Sequence, residues 1–204
     1  MTYLIAGFGK FGRIAFELIT ENFPDSELMI LESDVTRTRS LADRDSVVNQ
    51  DATSFLLNEP SLENSDIVIP MVPFHLAASY VIAGMCARAV PLPQELEEQV
   101  PNPYRLDESN LFASRADFVC PDDCPEGDLC TVTGMPRSPL HAALEGIQVP
   151  GWKILVQRSF QILPGVGGYP LGDLRFLRNR LATGMNIIAT ACKCHGVLTG
   201  IEVA

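Results

Sequence analysis

The chain has 204 residues, of which 47% are hydrophobic and 20% charged, so it can form one large domain or two small ones with a buried core. Its formal net charge of −10 argues against a nucleic-acid partner, since binding phosphates requires clustered Lys and Arg. The longest apolar run, residues 67–90, is interrupted by prolines and charged residues. We therefore expect no membrane insertion, no secretory signal and a cytoplasmic location.

The first element is an apolar strand over residues 2–6, followed by a G-x-G-x-x-G motif and an amphipathic helix that runs to residue 22. A motif of this kind, set between a strand and a helix, is typical of dinucleotide-binding folds. Its first glycine permits a tight turn, its second lets the backbone approach a pyrophosphate, and its third lets the helix pack on the strand. The helix N-terminus then offers free amides to the phosphates. The predicted cofactor-binding residues of this turn are Gly7, Phe8, Gly9, Lys10, Phe11 and Gly12.

A second strand, residues 27–31, is followed by Glu32, near the place where dinucleotide folds carry the carboxylate that binds the adenosine ribose hydroxyls. This charge would repel the 2′-phosphate of NADP, whereas Arg37 or Arg39 just beyond it could receive one. We therefore expect NAD as the cofactor, with NADP as the alternative.

The remaining elements of the first half continue the alternation of strands and helices. Short elements are predicted at residues 46–50 (strand), 54–58 (helix), 66–69 (strand) and 76–88 (helix). This order predicts an α/β fold, with a Rossmann-type parallel sheet followed by a strand-rich C-terminal part.

At this point residues 2–90 resemble the Rossmann domain of the potassium-uptake regulators, and also that of saccharopine dehydrogenase-like reductases. The matching residues are the three glycines of the turn, Glu32, and the sequence Asp-Ala-Thr at residues 51–53. In the regulator family an Asp-Ala pair after the third strand lies against the adenine, so the resemblance implies that Asp51 and Ala52 contact the cofactor. It covers less than half of the chain and concerns cofactor binding only.

His75 follows the predicted fourth strand, at the sheet edge where ligands bind in doubly wound folds. A histidine there could exchange a proton with a substrate carbonyl during hydride transfer, which makes it the candidate catalytic residue. The alternative is a histidine that caps the next helix or hydrogen-bonds its loop.

Four prolines between residues 91 and 103 mark the predicted connection from a dinucleotide-binding domain, residues 1–90, to a C-terminal part, residues 91–204. Further strands are predicted at residues 111–119, 153–163, 186–192 and 197–203, with a helix marked by Leu174, Leu177 and Leu181. The glycine-rich stretch 163–170 is either a loop that approaches a ligand or a plain tight turn.

Six cysteines are many for a chain expected in the cytoplasm, where disulfides are rare. Cys86 falls in a predicted helix and is most simply a small buried side chain. The other five lie in a C-x3-C-x5-C loop and a later Cys-Lys-Cys-His, an arrangement that suits zinc or an iron–sulfur cluster. The predicted metal ligands are Cys120, Cys124, Cys130, Cys192, Cys194 and His195. A reversible disulfide and coincidental packing are the alternatives.

The acidic residues of the cysteine loop bear on this choice. Carboxylates at 122, 123, 126 and 128 would raise the thiol pKa values unless a cation lies among them, which favours a bound cation.

The leading functional hypothesis is an NAD(P)-dependent oxidoreductase that acts on a small-molecule substrate, assembles as a homo-oligomer and uses the cysteines as a metal or redox site. The alternative is a non-catalytic protein that senses a dinucleotide, with no substrate and with a structural or redox-sensing cysteine site.

Overall fold

A computed structural model describes residues 1–41 and 46–204 of the protein. The strands are β1 (Thr2–Ala6), β2 (Glu27–Leu31), β3 (Val47–Val48), β4 (Ile67–Pro70), β5 (Ala87–Ala89), β6 (Tyr104–Arg105), β7 (Asn110–Ser114), β8 (Lys153–Arg158), β9 (Phe160–Leu163), β10 (Val166–Pro170), β11 (Gly184–Ala191) and β12 (His195–Val203). The helices are α1 (Lys10–Asn22), α2 (Val35–Thr38), α3 (Ala52–Asn58), α4 (Leu76–Gly84), α5 (Leu140–Glu145) and α6 (Leu171–Asn179), with 3-10 turns at Arg39–Leu41 and Gln94–Leu96.

The first sheet has the strand order β3-β2-β1-β4-β10-β9. Strands β3, β2, β1 and β4 are mutually parallel, whereas β10 runs antiparallel to β4 and β9 antiparallel to β10. The predicted α/β class is therefore confirmed, and this sheet is mixed. Because β10 is antiparallel, its first residue lies at the carboxyl edge of β4, so the β9–β10 turn lies at the same edge as the loop after β1.

The second sheet has the order β6-β7-β12-β11-β8, with β5 also paired to β12. Strand β11 is parallel to β8 and antiparallel to β12. The single strand predicted over residues 153–163 is therefore wrong, because the chain passes at Ser159 from β8 in this sheet to β9 in the other. Alternation of apolar residues continues through such a change of sheet and does not reveal it.

The helix predicted over residues 76–88 is shorter, since α4 ends at Gly84, a residue of low helix propensity. The next residues form β5 on the edge of β12. Cys86 is consequently exposed in a connection, and its prediction as a buried helical residue is wrong.

The largest apolar core is continuous between the two sheets. It contains Leu4 and Val68 from the first sheet and Ile188 and Ile201 from the second, together with residues of α3, α4 and α6. Each sheet also contains strands from both sides of residue 90. The predicted division at that residue stays a prediction. Among the described residues, no helix combines the length and apolarity needed to span a membrane.

Candidate functional site: the glycine turn and the thiol-lined cavity

The glycine turn, residues 7–12, contains two glycines that the protein itself requires. Gly7 has φ +99°, and a Cβ there would lie 2.7 Å from the Met71 carbonyl oxygen. A Cβ on Gly12 would lie 2.1 Å from the Gly7 oxygen. Gly9 differs, because its backbone is extended, with φ −74° and ψ −158°, and no heavy atom lies within 4 Å of its Cβ position. Nothing in the described protein demands glycine at residue 9, and the space beside it is open.

Within the part of the chain that the structure describes, no side chain caps the N-terminus of α1, and the first turn of this helix contains no acidic residue. By contrast, Asp34 accepts from the Thr36 amide at the start of α2, and Asp51 accepts from the Ser54 amide at the start of α3, both at 2.9 Å. The first-turn amides of α1 and its positive dipole end therefore suit an external anion.

The other residues predicted around the cofactor have defined places. Asp51 is a helix cap and Ala52 is buried, so the adenine contact implied for this pair stays a prediction. Phe8 is buried and packs edge-on against Phe16, while Lys10 lies over the exposed ring of Phe11.

Glu32 joins the glycine turn to the end of β2. Its buried carboxylate accepts hydrogen bonds from the Phe8 amide at 2.8 Å and from the Asp34 amide at 2.9 Å. Arg37 also lies 3.4 Å from this carboxylate. Glu32 therefore lies beside the turn, and its contact with a ribose stays a prediction.

His75 lies in the interior, between β11 and β12. Its Nδ1 is 2.7 Å from Thr199 Oγ1, and its Nε2 is 2.8 Å from Thr190 Oγ1. Thr199 donates its own proton to Asn110 Oδ1, so the Nδ1–H donates to Thr199 and Nε2 accepts from Thr190. Burial lowers the pKa of His75 to about 3, which keeps the ring neutral. The catalytic role predicted for His75 stays a prediction. The alternative of a helix cap or a loop hydrogen bond does not describe the ring either, since it makes no side-chain cap at the start of α4 and its described partners are threonines on β11 and β12.

The five clustered cysteines and His195 line one cavity of about 580 Å³. Its walls are the thiol loop, which we define as residues 115–138, together with the β9–β10 hairpin and the turn between β11 and β12. The structure thus brings together two segments that are far apart in sequence. All six cysteines are free. Among the described residues, no three His, Cys, Asp or Glu side chains form a group that could hold a metal ion, so metal ligation stays a prediction.

The β9–β10 hairpin holds the thiol loop in place. Gln161 Nε2 and the Gly165 amide both donate to the Cys124 carbonyl oxygen, at 2.7 and 3.3 Å. Gly165 has φ +77°, and a Cβ there would lie 1.8 Å from the Asp122 oxygen. The glycine-rich stretch is therefore a tight turn that permits close approach of the loop. Lys10 Nζ pairs with Asp122 at 2.9 Å and so joins the glycine turn to the loop.

Arg137 is a cavity residue that the sequence patterns did not single out. Its Nη2 donates to Cys124 Sγ at 3.3 Å, and its guanidinium also interacts with Cys130 and Cys194. Its Nε and Nη1 are buried and have no hydrogen-bond partner among the described residues. The sequence does offer one signal for it, since Arg137 is the one Lys or Arg between positions 116 and 152. Arg137 thus places one cation beside the cavity thiols, and the bound cation expected near the acidic loop stays a prediction.

The thiols differ in protonation. Hydrogen bonds from the Thr133 side chain and from the backbone of Val132 and Thr133 lower the pKa of Cys130 to about 7. Burial raises the pKa of Cys120 and Cys194, and it raises that of Cys192 to about 12, with a further contribution from Glu126. Near neutral pH the cavity therefore holds a readily ionised thiol at Cys130 beside protonated thiols at Cys120, Cys192 and Cys194, a composition suited to thiol redox chemistry or to binding a soft metal.

These features define an α/β protein in which a glycine turn and a thiol-lined cavity lie at the same sheet edge. Residues 71–204 match the family AF_1314_C, described as "Uncharacterized protein, C-terminal domain", and the chain belongs to this family. The matched region contains every cysteine of the cavity but not the glycine turn.

A relative from Archaeoglobus fulgidus, described as an uncharacterized protein, is 32% identical over 98 residues. The alignment covers 47% of this chain and 44% of that protein, so the chain spans less than half the length of this relative. No solved structure matches the chain significantly.

Proposed function

We propose that the protein is an NAD(P)-dependent oxidoreductase in which the glycine turn binds the dinucleotide and the thiol-lined cavity is the redox centre. The observation that carries the proposal is Gly9. The fold explains the glycines at 7 and 12 by close contacts, whereas Gly9, the N-cap of α1, has open space around its Cβ position into which a pyrophosphate could approach.

Two further observations support a dinucleotide at this turn. The α1 N-terminus is uncapped and free of acidic residues, as a pyrophosphate requires. The parallel strands β3-β2-β1-β4 also have the order of a Rossmann-type half, in which ligands bind beyond the carboxyl ends of the strands.

The redox role of the cavity is supported by its position. The β9–β10 turn carries the thiol loop to the same sheet edge as the glycine turn, and the Lys10–Asp122 ion pair joins the two. Cys130 supplies an ionisable thiol within that cavity.

A second candidate function is dinucleotide sensing without chemistry. It is favoured by His75, because the one predicted proton-transfer residue is sealed between two threonine hydroxyls. In this case the cysteines would report redox state or stabilise the fold.

The two candidates are separated by dye reduction. NAD(P)H would give up a hydride and become NAD(P)+. The two electrons and the hydrogen of that hydride, together with one proton from solvent, would reduce dichlorophenolindophenol to its leuco form. We expect turnover by the wild type, at least tenfold slower turnover by Gly9→Ala, and unchanged turnover by Gly146→Ala, a remote substitution that meets only an ordinary contact at 3.5 Å. Dinucleotide binding without dye reduction would favour the sensor, and absence of both would refute the proposal.

A further inference from the structure

We infer that the thiol-lined cavity binds an iron–sulfur cluster through Cys120, Cys124, Cys130 and Cys194, with Arg137 as the residue that balances its negative charge. This inference names the cofactor of the cavity. It depends on the proposed function only for the redox role of that cofactor. Four thiolates are the usual ligand set of such clusters.

Four of the five cavity thiols interact with one another or with Arg137. Cys124 accepts from Arg137, and Cys130 and Cys194 interact with the same guanidinium. Cys120 interacts electrostatically with Cys124 and Cys130. These four thiols and this guanidinium line the same cavity.

Cys192 is engaged differently. Its Sγ accepts the amides of Cys194 and His195 at 3.4 and 3.3 Å, and its thiol interacts with Glu126. Because this sulfur is held by two backbone amides of its own turn, we leave Cys192 out of the ligand set.

Arg137 has buried hydrogen-bond donors that lack a partner in the described protein. Two of its buried N–H groups, Nε–H and Nη1–H, lack an acceptor within the described protein. Leaving a charged donor buried without a partner is costly. A cluster with four thiolates is anionic, and its inorganic sulfides add hydrogen-bond acceptors to those of the thiolates.

The volume of the cavity also suits a cluster. The cavity of about 580 Å³ falls within the range of roughly 300–1,000 Å³ that is usual for cofactor and small-molecule sites. The thiols stand on its walls, on the thiol loop and on the turn after β11. A polynuclear cluster has several metal atoms, which thiols on separate walls can each bind. A single ion offers one metal atom to all of them.

The test is anaerobic reconstitution of the whole protein with ferrous iron and sulfide, without dinucleotide. We expect broad visible absorbance, and iron and acid-labile sulfide in comparable amounts. The absorbance of Cys124→Ser and of Cys194→Ser should be at least tenfold lower than that of the wild type. Cys86→Ser, at an exposed residue outside the cavity, should keep it, and Cys192→Ser should keep most of it.

Arg137 needs a readout other than cluster content. In Arg137→Ala the cluster should bleach faster in air and show a lower reduction potential, because a neighbouring positive charge favours the more negative reduced state. Arg137→Lys should restore part of the potential. An unchanged potential in both variants would remove Arg137 from the inference.

Folding failure of a cysteine variant does not obscure the result, because alkylation can be mapped on the wild type. After reconstitution, Cys120, Cys124, Cys130 and Cys194 should be protected from iodoacetamide while Cys86 reacts. Bound zinc with no visible absorbance, or the four thiols reacting as before reconstitution, would overturn the cluster. Since the assay contains no dinucleotide, its failure leaves the proposed dinucleotide binding to be judged by itself.

Discussion

At the scale of single residues, His75 illustrates how burial controls protonation. Its folded pKa of about 3 lies below the ordinary value of 6.5, so between these pH values the unfolded chain binds the extra proton. Stability should therefore be fully present above pH 6.5 and fall as the pH decreases toward 3. The slope from this group is at most about 1.4 kcal/mol per pH unit.

The matched variant is His75→Gln. It should be less stable than the wild type near neutral pH, by about 1–3 kcal/mol, because the Thr199 and Thr190 hydroxyls lose a well-placed partner. Urea unfolding between pH 4 and 8 should show a weaker acid dependence in this variant. Parallel curves for the two proteins would show that His75 is not the titrating group.

Glu32 carries the prediction about cofactor choice. Its charge should favour NAD over NADP, and Glu32→Gln should shift the affinity ratio toward NADP by about tenfold, equivalent to about 1.4 kcal/mol, because Arg37 then faces the 2′-phosphate without a competing carboxylate. Isothermal titration of both dinucleotides measures the ratio. Tighter binding of NADP by the wild type would mean that Arg37 or Arg39 controls the choice.

At the scale of elements, the attachment of the thiol loop to the β9–β10 hairpin depends on Gly165. Both Gly165 and Gly151 have a positive φ, +77° and +79°, but only Gly165 has backbone atoms against its Cβ position. Gly151→Ala should cost about 1–2 kcal/mol from backbone strain alone. Gly165→Ala should cost more, by about 1–3 kcal/mol, because the loop backbone must move away.

Thermal unfolding of the two variants measures this difference. In Gly165→Ala, the cysteines of the thiol loop should also react faster with a thiol reagent, while Cys86 should react at its usual rate. Equal stability losses in the two variants would show that the contact with Asp122 is not needed to hold the loop.

The elements of the first half were accessible from sequence because apolar periodicity and the glycine motif agree there. Strand β2 lies over the predicted residues, and α1 ends at the predicted residue 22. The change of sheet at Ser159 was inaccessible, because pairing partners decide it and local pattern does not. Similarly, α4 ends at Gly84, and the pairing of the following strand β5 with β12 could not be read from the local apolar pattern.

The site was partly predictable for the same reason. The clustering of cysteines in sequence indicated that they would meet, and the cavity brings them together. Arg137 was missed because no spacing rule connects a single arginine to distant thiols. The hydroxyl partners of His75 come from strands more than a hundred residues away, and its burial could not be read from its own neighbourhood.

At the scale of the whole molecule, one apolar core connects the first sheet, which carries the glycine turn, with the second sheet. Tyr169 and Leu174 from the C-terminal half pack with Leu4 and Val68 from the N-terminal half. The β10 strand completes the first sheet and also delivers the turn on which the thiol loop lies. The glycine turn and the cavity are therefore parts of one packed unit, which is the arrangement that the proposed redox function requires.

The most direct test of this account is calorimetric titration of NAD and NADP into the wild type, Gly9→Ala and Gly146→Ala. The wild type and Gly146→Ala should bind a dinucleotide with equal affinity, since residue 146 is remote from the turn. Gly9→Ala should bind at least tenfold more weakly, because its methyl group occupies space that no described protein atom uses, and it should lose no more than about 1 kcal/mol of stability, the cost of Ala at a helix N-cap. No binding by the wild type, or the same affinity in all three proteins, would contradict the account.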